Sequence, residues 1–409
     1  MARTKGSLNK PKSSNIVTLN FEKQIAGAAV NKKNPLGWVN YGAKNNYPLL
    51  LLDLYAQSPT HHSAIDFGVL SIIGEGVDYE AMQLDGTQTV PNYIETWDNL
   101  IKSLSLDFML YGSYSLQVIK NKDGKTFSFY HTPFEKVRFT DYDEDGQITK
   151  YYICSDWTQP SMNPPIMVDA FDMLADPTKL EKGKPYLYVY RPYCPTSNYY
   201  PSPSYQASIK AIQSEIEFVN FDLKSTTNGF VPSGCLILNE VETDEERQAI
   251  IKNINNMFIG GENANSLMIS FRRNMEEKAP EFVPFNTDTR ADKYDYTNDR
   301  TINRILTAHK IPSPMLIGLP DNSKNGFSSD ASKMEAAYGL YNKLAGNSNR
   351  NAIISTINQL FKINGVDVEI IMKPLRFTLE DNVAPTTTVA DNNINTNENN
   401  IEEQTVGEE

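Results

Sequence analysis

The chain has 409 residues, of which 40% are apolar and 22% charged, and its formal net charge is −12. That composition provides apolar material for a real core and length for about two to four domains. The acidic balance excludes a protein that wraps nucleic acid tightly, because such affinity comes from cations displacing the counterions of phosphates.

Residues 1–34 are basic and polar (Arg3, Lys5, Lys10, Lys12) and read as an arm, either a loose terminus or one that orders against a neighbouring subunit. No apolar stretch follows these cations, so no secretory signal is expected. Pro48 and Pro59 each open a helix, and Ile65, Val69 and Ile72 mark the inner face of the second, which Gly74-Glu75-Gly76 ends. Trp97, Ile101, Leu104 and Phe108 line a further amphipathic helix. From Tyr114 to Tyr190 the pattern is mostly β. Strands are expected at Tyr114–Ile119, Phe127–Tyr130, Val137–Thr140, Ile148–Cys154 and Tyr186–Tyr190, with a loop-rich stretch from Pro160 to Pro185. The 22 tyrosines fit strand propensity and broad contact surfaces equally.

Pro203 starts a helix in which Tyr205, Ile209, Ile212, Ile216, Val219 and Leu223 recur with spacings of four and three. This narrow seam has a 3.5-residue period, and Lys210, Gln213, Glu217, Asn220 and Lys224 occupy the other faces. Asn228-Gly229 stops it. A strand at Cys235–Leu238, a capping box Thr243-Asp244-Glu245-Glu246 with its helix, and strands at Leu267–Phe271 and Glu281–Phe285 then form a small β-α-β-β unit. A second, more polar helix runs from about Thr287 to His309 and ends before Pro312 and Pro314. A Gly/Asn/Ser loop precedes a long helix over Ala331–Phe361, bent near Gly346-Asn347, and Val366–Met372 reads as a final strand. After Arg376 there is no Lys or Arg, and residues 377–409 read as an acidic disordered tail.

The search for chemistry is largely negative. There is no G-x-S-x-G elbow, phosphate-binding loop or H-E-x-x-H. Cys154, Cys194 and Cys235 form no C-x-x-C pair, which argues against a disulfide framework or thiolate zinc site and fits a reducing cytoplasm. No run of about 18 apolar residues argues for a membrane span. His61 and His62 diverge by about 100° on a helix, and His131 and His309 stand alone, so all four read as surface or capping residues. Asp141, Asp143 and Asp145 in Asp141–Gly146 match the opening of an EF-hand loop, but Tyr152 holds the position where calcium needs a glutamate. The stretch reads as a hairpin turn, with a weak divalent-cation site or a nuclease cluster as alternatives. Arg290, Lys293, Arg300 and Arg304 are interleaved with aspartates and read as a solvated, self-paired helix face.

The order of these parts resembles the portal proteins of tailed bacteriophages, of the compact HK97-like type, across roughly 35–376. The resemblance rests on several stretches together. They are Tyr55–Pro59 leading to Gly74-Glu75-Gly76, Asp107–Ser113, the seam helix running into Asn228–Gly234, Ile311–Gly318, and Asn325–Ser329. It implies an α+β fold with a wing domain (35–202), a first stem helix (203–230), a clip (231–286), a second stem helix (287–311), a tunnel-loop region (312–330) and a long helix with a final wing strand (331–376). It also implies no enzyme and no cofactor. The implied assembly is a homo-oligomeric ring, usually of twelve copies, at one capsid vertex of a virion assembled in host cytoplasm. Its implied partners are the terminase large subunit, a head–tail adaptor, the major capsid protein and scaffold, and double-stranded DNA passing without sequence specificity. The residues assigned by it are Ile209, Ile212, Ile216, Val219 and Leu223 in the stem seam, and Pro232, Gly234, Arg272 and Arg273 in the clip. Ser323, Lys324, Asn325, Gly326 and Phe327 fall in the tunnel loop. A rival is another neck or minor capsid protein. The acidic tail departs from the family pattern, which ends in a helical crown.

Overall fold

The computed structural model describes residues 33–84, 86, 88–174, 176–195, 197–227, 234–239, 243–258, 268–272, 281–284, 290–319 and 331–376. Helices α1 (Tyr47–Gln57) and α2 (Pro59–Ile73) each have proline in the first turn, where the missing amide needs no partner. Ser58 caps α2, its Oγ accepting from the His61 amide at 3.2 Å. At the other end Arg350 donates to the carbonyls of Ser71 and Ile72, setting a cation against the negative pole of the helix. A short α3 (Tyr79–Met82) precedes α4 (Trp97–Tyr111), which buries Trp97, Leu100, Ile101 and Leu104. Gly112 ends α4 at a φ of 73°, and a Cβ there would lie 2.7 Å from the Ser202 carbonyl oxygen. Glycine alone satisfies both constraints.

Six strands follow: β1 (Tyr114–Lys120), β2 (Phe127–Thr132), β3 (Val137–Phe139), β4 (Lys150–Ile153), β5 (Ile166–Ala170) and β6 (Pro185–Tyr190). They form one mixed sheet in the order β2-β1-β6-β5-β4-β3, in which only β5–β6 is parallel. Strand β5 lies inside the stretch that reads as loop. Its flanking Pro164-Pro165 and its exposed Ile166 and Met167 hide the alternation of a half-buried strand. Between β3 and β4 the chain turns at Asp143–Gly146, where the Asp143 carboxylate accepts from the amides of Asp145 (3.0 Å) and Gln147 (2.8 Å).

The remaining elements are α5 (Ile209–Thr227), β7 (Gly234–Asn239), α6 (Asp244–Phe258), β8 (Met268–Arg272), β9 (Glu281–Pro284) and α7 (Arg290–Ala308), followed by α8 (Ala331–Tyr341) and α9 (Asn347–Ile363). Strands β7–β9 form a separate sheet in the order β8-β7-β9, with β8 parallel and β9 antiparallel to β7. Helix α6 starts at the capping Thr243, whose Oγ1 accepts from the Glu246 amide at 3.3 Å. Helices α5 and α7 pack against each other, and Ile209, Ile212 and Ile305 enter the same buried cluster as the body of the molecule.

The long C-terminal helix is not simply bent. A π-helical turn at Asn342–Gly346 separates α8 from α9, and such widened turns re-aim a helix. The α9 face joins the large sheet through Tyr114, whose hydroxyl bonds the Ala352 carbonyl (2.8 Å) and Thr356 Oγ1 (2.7 Å). The expected strand at Val366–Met372 is a correction: the segment makes only an isolated bridge, Val77 with Met372. Its amides are engaged elsewhere, Ile370 with Asn358 Oδ1 (2.8 Å) and Ile371 with Met82 Sδ (3.4 Å), and its chain instead closes on the Gly74–Asp78 loop.

One buried charge organises the rim of the large sheet. Arg138 is 1% exposed. It donates to Asn45 Oδ1 (2.5 Å), the Asn45 carbonyl (3.0 Å) and the carbonyls of Glu135 and Val137 (both 2.8 Å), and it lies over the Trp157 ring at 4.8 Å. Burial pulls its pKa down to about 10, which leaves it charged at neutral pH. Arg138→Met leaves these acceptors unpaired and is expected to cost about 3 kcal/mol. Arg138→Lys, lacking the planar fork, should recover little of that loss. Urea unfolding midpoints of the three proteins check this.

Candidate functional site at the root of the paired helices

A dense buried polar arrangement lies where α5 and α7 join the body. Glu215 of α5 is 6% exposed, and its carboxylate accepts from the hydroxyls of Ser58 and Thr60 (the latter at 2.5 Å) and from the Thr60 amide (3.4 Å). The sequence gives it no distinction, because it sits one position before Ile216 on a helix where Lys210, Glu217 and Asp222 are exposed. Gln213, expected on an outer face, is also buried.

Beside Glu215, His61 of α2 and His309, just past α7, meet through Nδ1 and Nε2 at 2.9 Å. Both are buried, at 0% and 5% exposure. Tyr205 packs edge-on against His61 and stacks with His309, while its hydroxyl donates to the Leu110 carbonyl at 2.8 Å. The reading of these histidines as surface or capping residues is therefore corrected: they are 248 positions apart, and only the fold reveals the pairing. His131 is not alone either, lying 2.8 Å from the Asp107 carboxylate. In the His61–His309 pair one ring donates and the other accepts. The remaining nitrogens, His61 Nε2 and His309 Nδ1, have no hydrogen-bond partner among the described residues. Burial, the neighbouring His309 and His62 push the His61 pKa down to about 2, and burial pushes His309 down to about 4. Both rings are neutral at pH 7.

Ser58, His61 and Glu215 are the residue types of a hydrolytic triad, but the geometry is not one. Ser58 Oγ faces the carboxylate directly, the His61 ring is bound to His309, and all three are buried. The arrangement joins elements rather than presenting a nucleophile. It locks the α2 N-terminus, the first half of α5 and the end of α7 together.

The other expected site residues are spread out. In the seam, Ile209 and Ile212 are buried and Ile216 packs on the same core, but Val219 is 47% and Leu223 64% exposed. Gly234 opens β7 opposite Pro284, and Arg272 ends β8 opposite Asn239. Pro232, Arg273 and the stretch Ser323, Lys324, Asn325, Gly326 and Phe327 lie outside the described residues. Asp141 pairs with Lys33 and accepts from the Tyr199 hydroxyl at 2.5 Å. The Lys33 contact first, and Tyr199 second, hold its pKa below the usual carboxylate range. Asp143 is engaged within its own turn. Among the described residues no three His, Cys, Asp or Glu side chains converge as metal ligands, and no helix is long and apolar enough to cross a membrane.

Comparison with known proteins defines the class of fold. No family model and no curated protein matches the sequence. Solved structures do. A chain in the virion of native gene transfer agent (GTA) particle aligns with a TM-score of 0.51 at 17% identity, covering 80% of this chain and 83% of that one. A chain in the neck of empty GTA particle, computed with C6 symmetry, gives 0.53 at 16% identity, covering 80% and 84%. A chain in the neck of native GTA particle, computed with C12 symmetry, gives 0.51 at 16%, covering 85% and 87%. The chain thus shares its fold, over most of its length, with chains found in GTA virion and neck structures.

The neutral histidines make stability depend on pH. Their folded pKa values lie below the ordinary value of about 6.5, so the unfolded chain binds the extra protons. Stability is full above pH 6.5 and falls as the pH drops below it, by about 2 kcal/mol per histidine between pH 7 and pH 5. Urea unfolding at both pH values should show this loss. His309→Gln, which cannot take up a proton, should reduce the difference by about that amount.

Proposed function

We propose that the chain is a non-enzymatic structural subunit of a ring in a phage-like particle, namely the portal that connects head to tail. The carrying observation is the course of the α5 seam. It begins inside the subunit core at Ile209 and Ile212 and runs out to Val219 and Leu223 on the surface of the same helix. A heptad-spaced stripe that leaves the core of one subunit suits contact with the next copy, and a ring supplies such a contact to every member. The fold shared with GTA virion and neck chains, one of them in a C12-symmetric assembly, supports the same reading.

In this reading α5 and α7 are the stem, the β7–α6–β8–β9 unit is the clip, and the α1–β6 body with α9 is the wing. The clip meets the terminase during packaging and a head–tail adaptor afterwards, while capsid protein surrounds the wing. DNA moves through the channel without sequence-specific contacts, and an acidic subunit has little grip on phosphates. Residues 323–327 belong to the loop that faces the passing DNA. The buried root cluster keeps the stem helices at a fixed rotation, so that the outer seam of every copy faces its neighbour in the same phase.

Val219→Glu combined with Leu223→Glu places two charges on the outer seam and leaves the buried half untouched. Sedimentation at micromolar concentration should show large rings for the parent protein and monomers for the variant, with unchanged circular dichroism. Rings that persist in the variant would remove the seam from the interface.

A further inference from the structure

A cleft with a cavity volume of about 660 Å³ lies between the start of α5 and the second half of α7. Its charged lining residues are Lys210, Arg300 and Arg304, and no carboxylate is among the residues that line it. Arg300, Arg304 and Thr307 recur at helical spacing on one face of α7, while the small side chains of Ala207, Ala211 and Ala308 leave the space open. Arg300 lies over the Tyr296 ring at 5.5 Å. Neither Lys210 nor Arg304 has an ion-pair partner among the described residues. A concentrated positive cleft in a chain of net charge −12 attracts an anionic occupant.

The chain itself carries a fitting one. Residues 377–409 hold eight Asp and Glu and no Lys or Arg, which is eight of the twelve net negative charges. The segment also starts in the right place. Leu375 packs with Ile302 on the cluster that contains Leu306, and both of those residues belong to α7, the helix that carries Arg300 and Arg304. A helix is about 10 Å across and an extended chain advances about 3.3 Å per residue, so a few residues reach from one side of α7 to the other. Tethering at that distance gives an effective concentration on the order of millimolar. The cleft volume suits an extended peptide or a single helical turn, and is far too small to seat a nucleic-acid duplex.

We propose that this cleft is the docking site of the chain's own acidic C-terminal segment, residues 377–409, held by Lys210, Arg300 and Arg304. The contact is ionic and exposed, so salt weakens it. The proposal does not depend on ring formation, because a chain that stays monomeric carries both the cleft and the segment.

The test is zero-length carbodiimide cross-linking of the full-length protein, followed by peptide mapping of the bonds formed by Lys210. The expected product joins Lys210 to a carboxylate within 377–409, with Glu380 and Asp381, the first acids after Arg376, the main candidates. Its yield should fall about fivefold in the double variant R300E/R304E, and by a similar factor in the parent protein between 0.05 and about 1 M salt. The salt series stands by itself if the double variant does not fold. Lys210 linked only to carboxylates before residue 377 would overturn the proposal, as would no Lys210 link where other lysines react. So would a short DNA duplex that protects Lys210 from acetylation in a protein showing no link to the segment, which would assign the cleft to nucleic acid.

Discussion

The structure depends on the burial of Glu215. A carboxylate taken out of water costs several kcal/mol unless donors replace its hydration. Here the hydroxyls of Ser58 and Thr60 and the Thr60 amide replace it, all from the first turn of α2 and its cap. Those donors are fixed in direction by the helix they begin. Helix α5 therefore docks at one rotation and one height, and any other setting leaves a buried charge without partners. His61, three residues past the Ser58 cap, meets His309 and brings the end of α7 to the same point.

The consequences run outward from that root. With the rotation of α5 fixed, Ile209 and Ile212 face the core and the rest of the seam is carried beyond it, which exposes Val219 and Leu223 in a defined direction. A flexible helix with the same residues offers an ill-defined patch; a helix locked at its base offers a specific one. Two histidine nitrogens without a partner among the described residues are the cost of the lock, tolerated while both rings stay neutral. The same root separates two environments on α7. One face, with Ile305 and Leu306, is core, and the opposite face carries the arginines of the cationic cleft.

Much of the local structure was legible in the sequence, and for identifiable reasons. Prolines 48 and 59, the Thr243 cap and glycines 74 and 112 mark helix ends by their backbone chemistry, which depends on neighbours in the chain. The β-α-β-β order around α6 follows from the same punctuation and from short continuous apolar runs. What stayed hidden depends on distant partners. Glu215 looks like any charge beside a seam, Arg138 sits in a three-residue strand, and His61 and His309 acquire meaning only when helices far apart in sequence converge. Strand β5 was masked by its prolines and its exposed face. The apolar run at 366–372 looked like a strand, but side chains of Asn358 and Met82 take amides that a ladder requires. By sequence the carboxylates Asp141 and Asp143 fit a turn, with a cation site as alternative, and in the structure they engage Lys33, Tyr199 and the turn amides. The seam was visible as a pattern, but where it leaves the core was not, since periodicity says nothing about which partner covers it.

The proposed ring around a channel is large enough to be seen directly. Electron microscopy of the purified full-length protein, by negative stain and then by class averaging of end-on views, tests it most directly. The expected result is annular particles with a central hole and a single rotational symmetry. A field of compact monomers at micromolar concentration, or open filaments without closure, would contradict it.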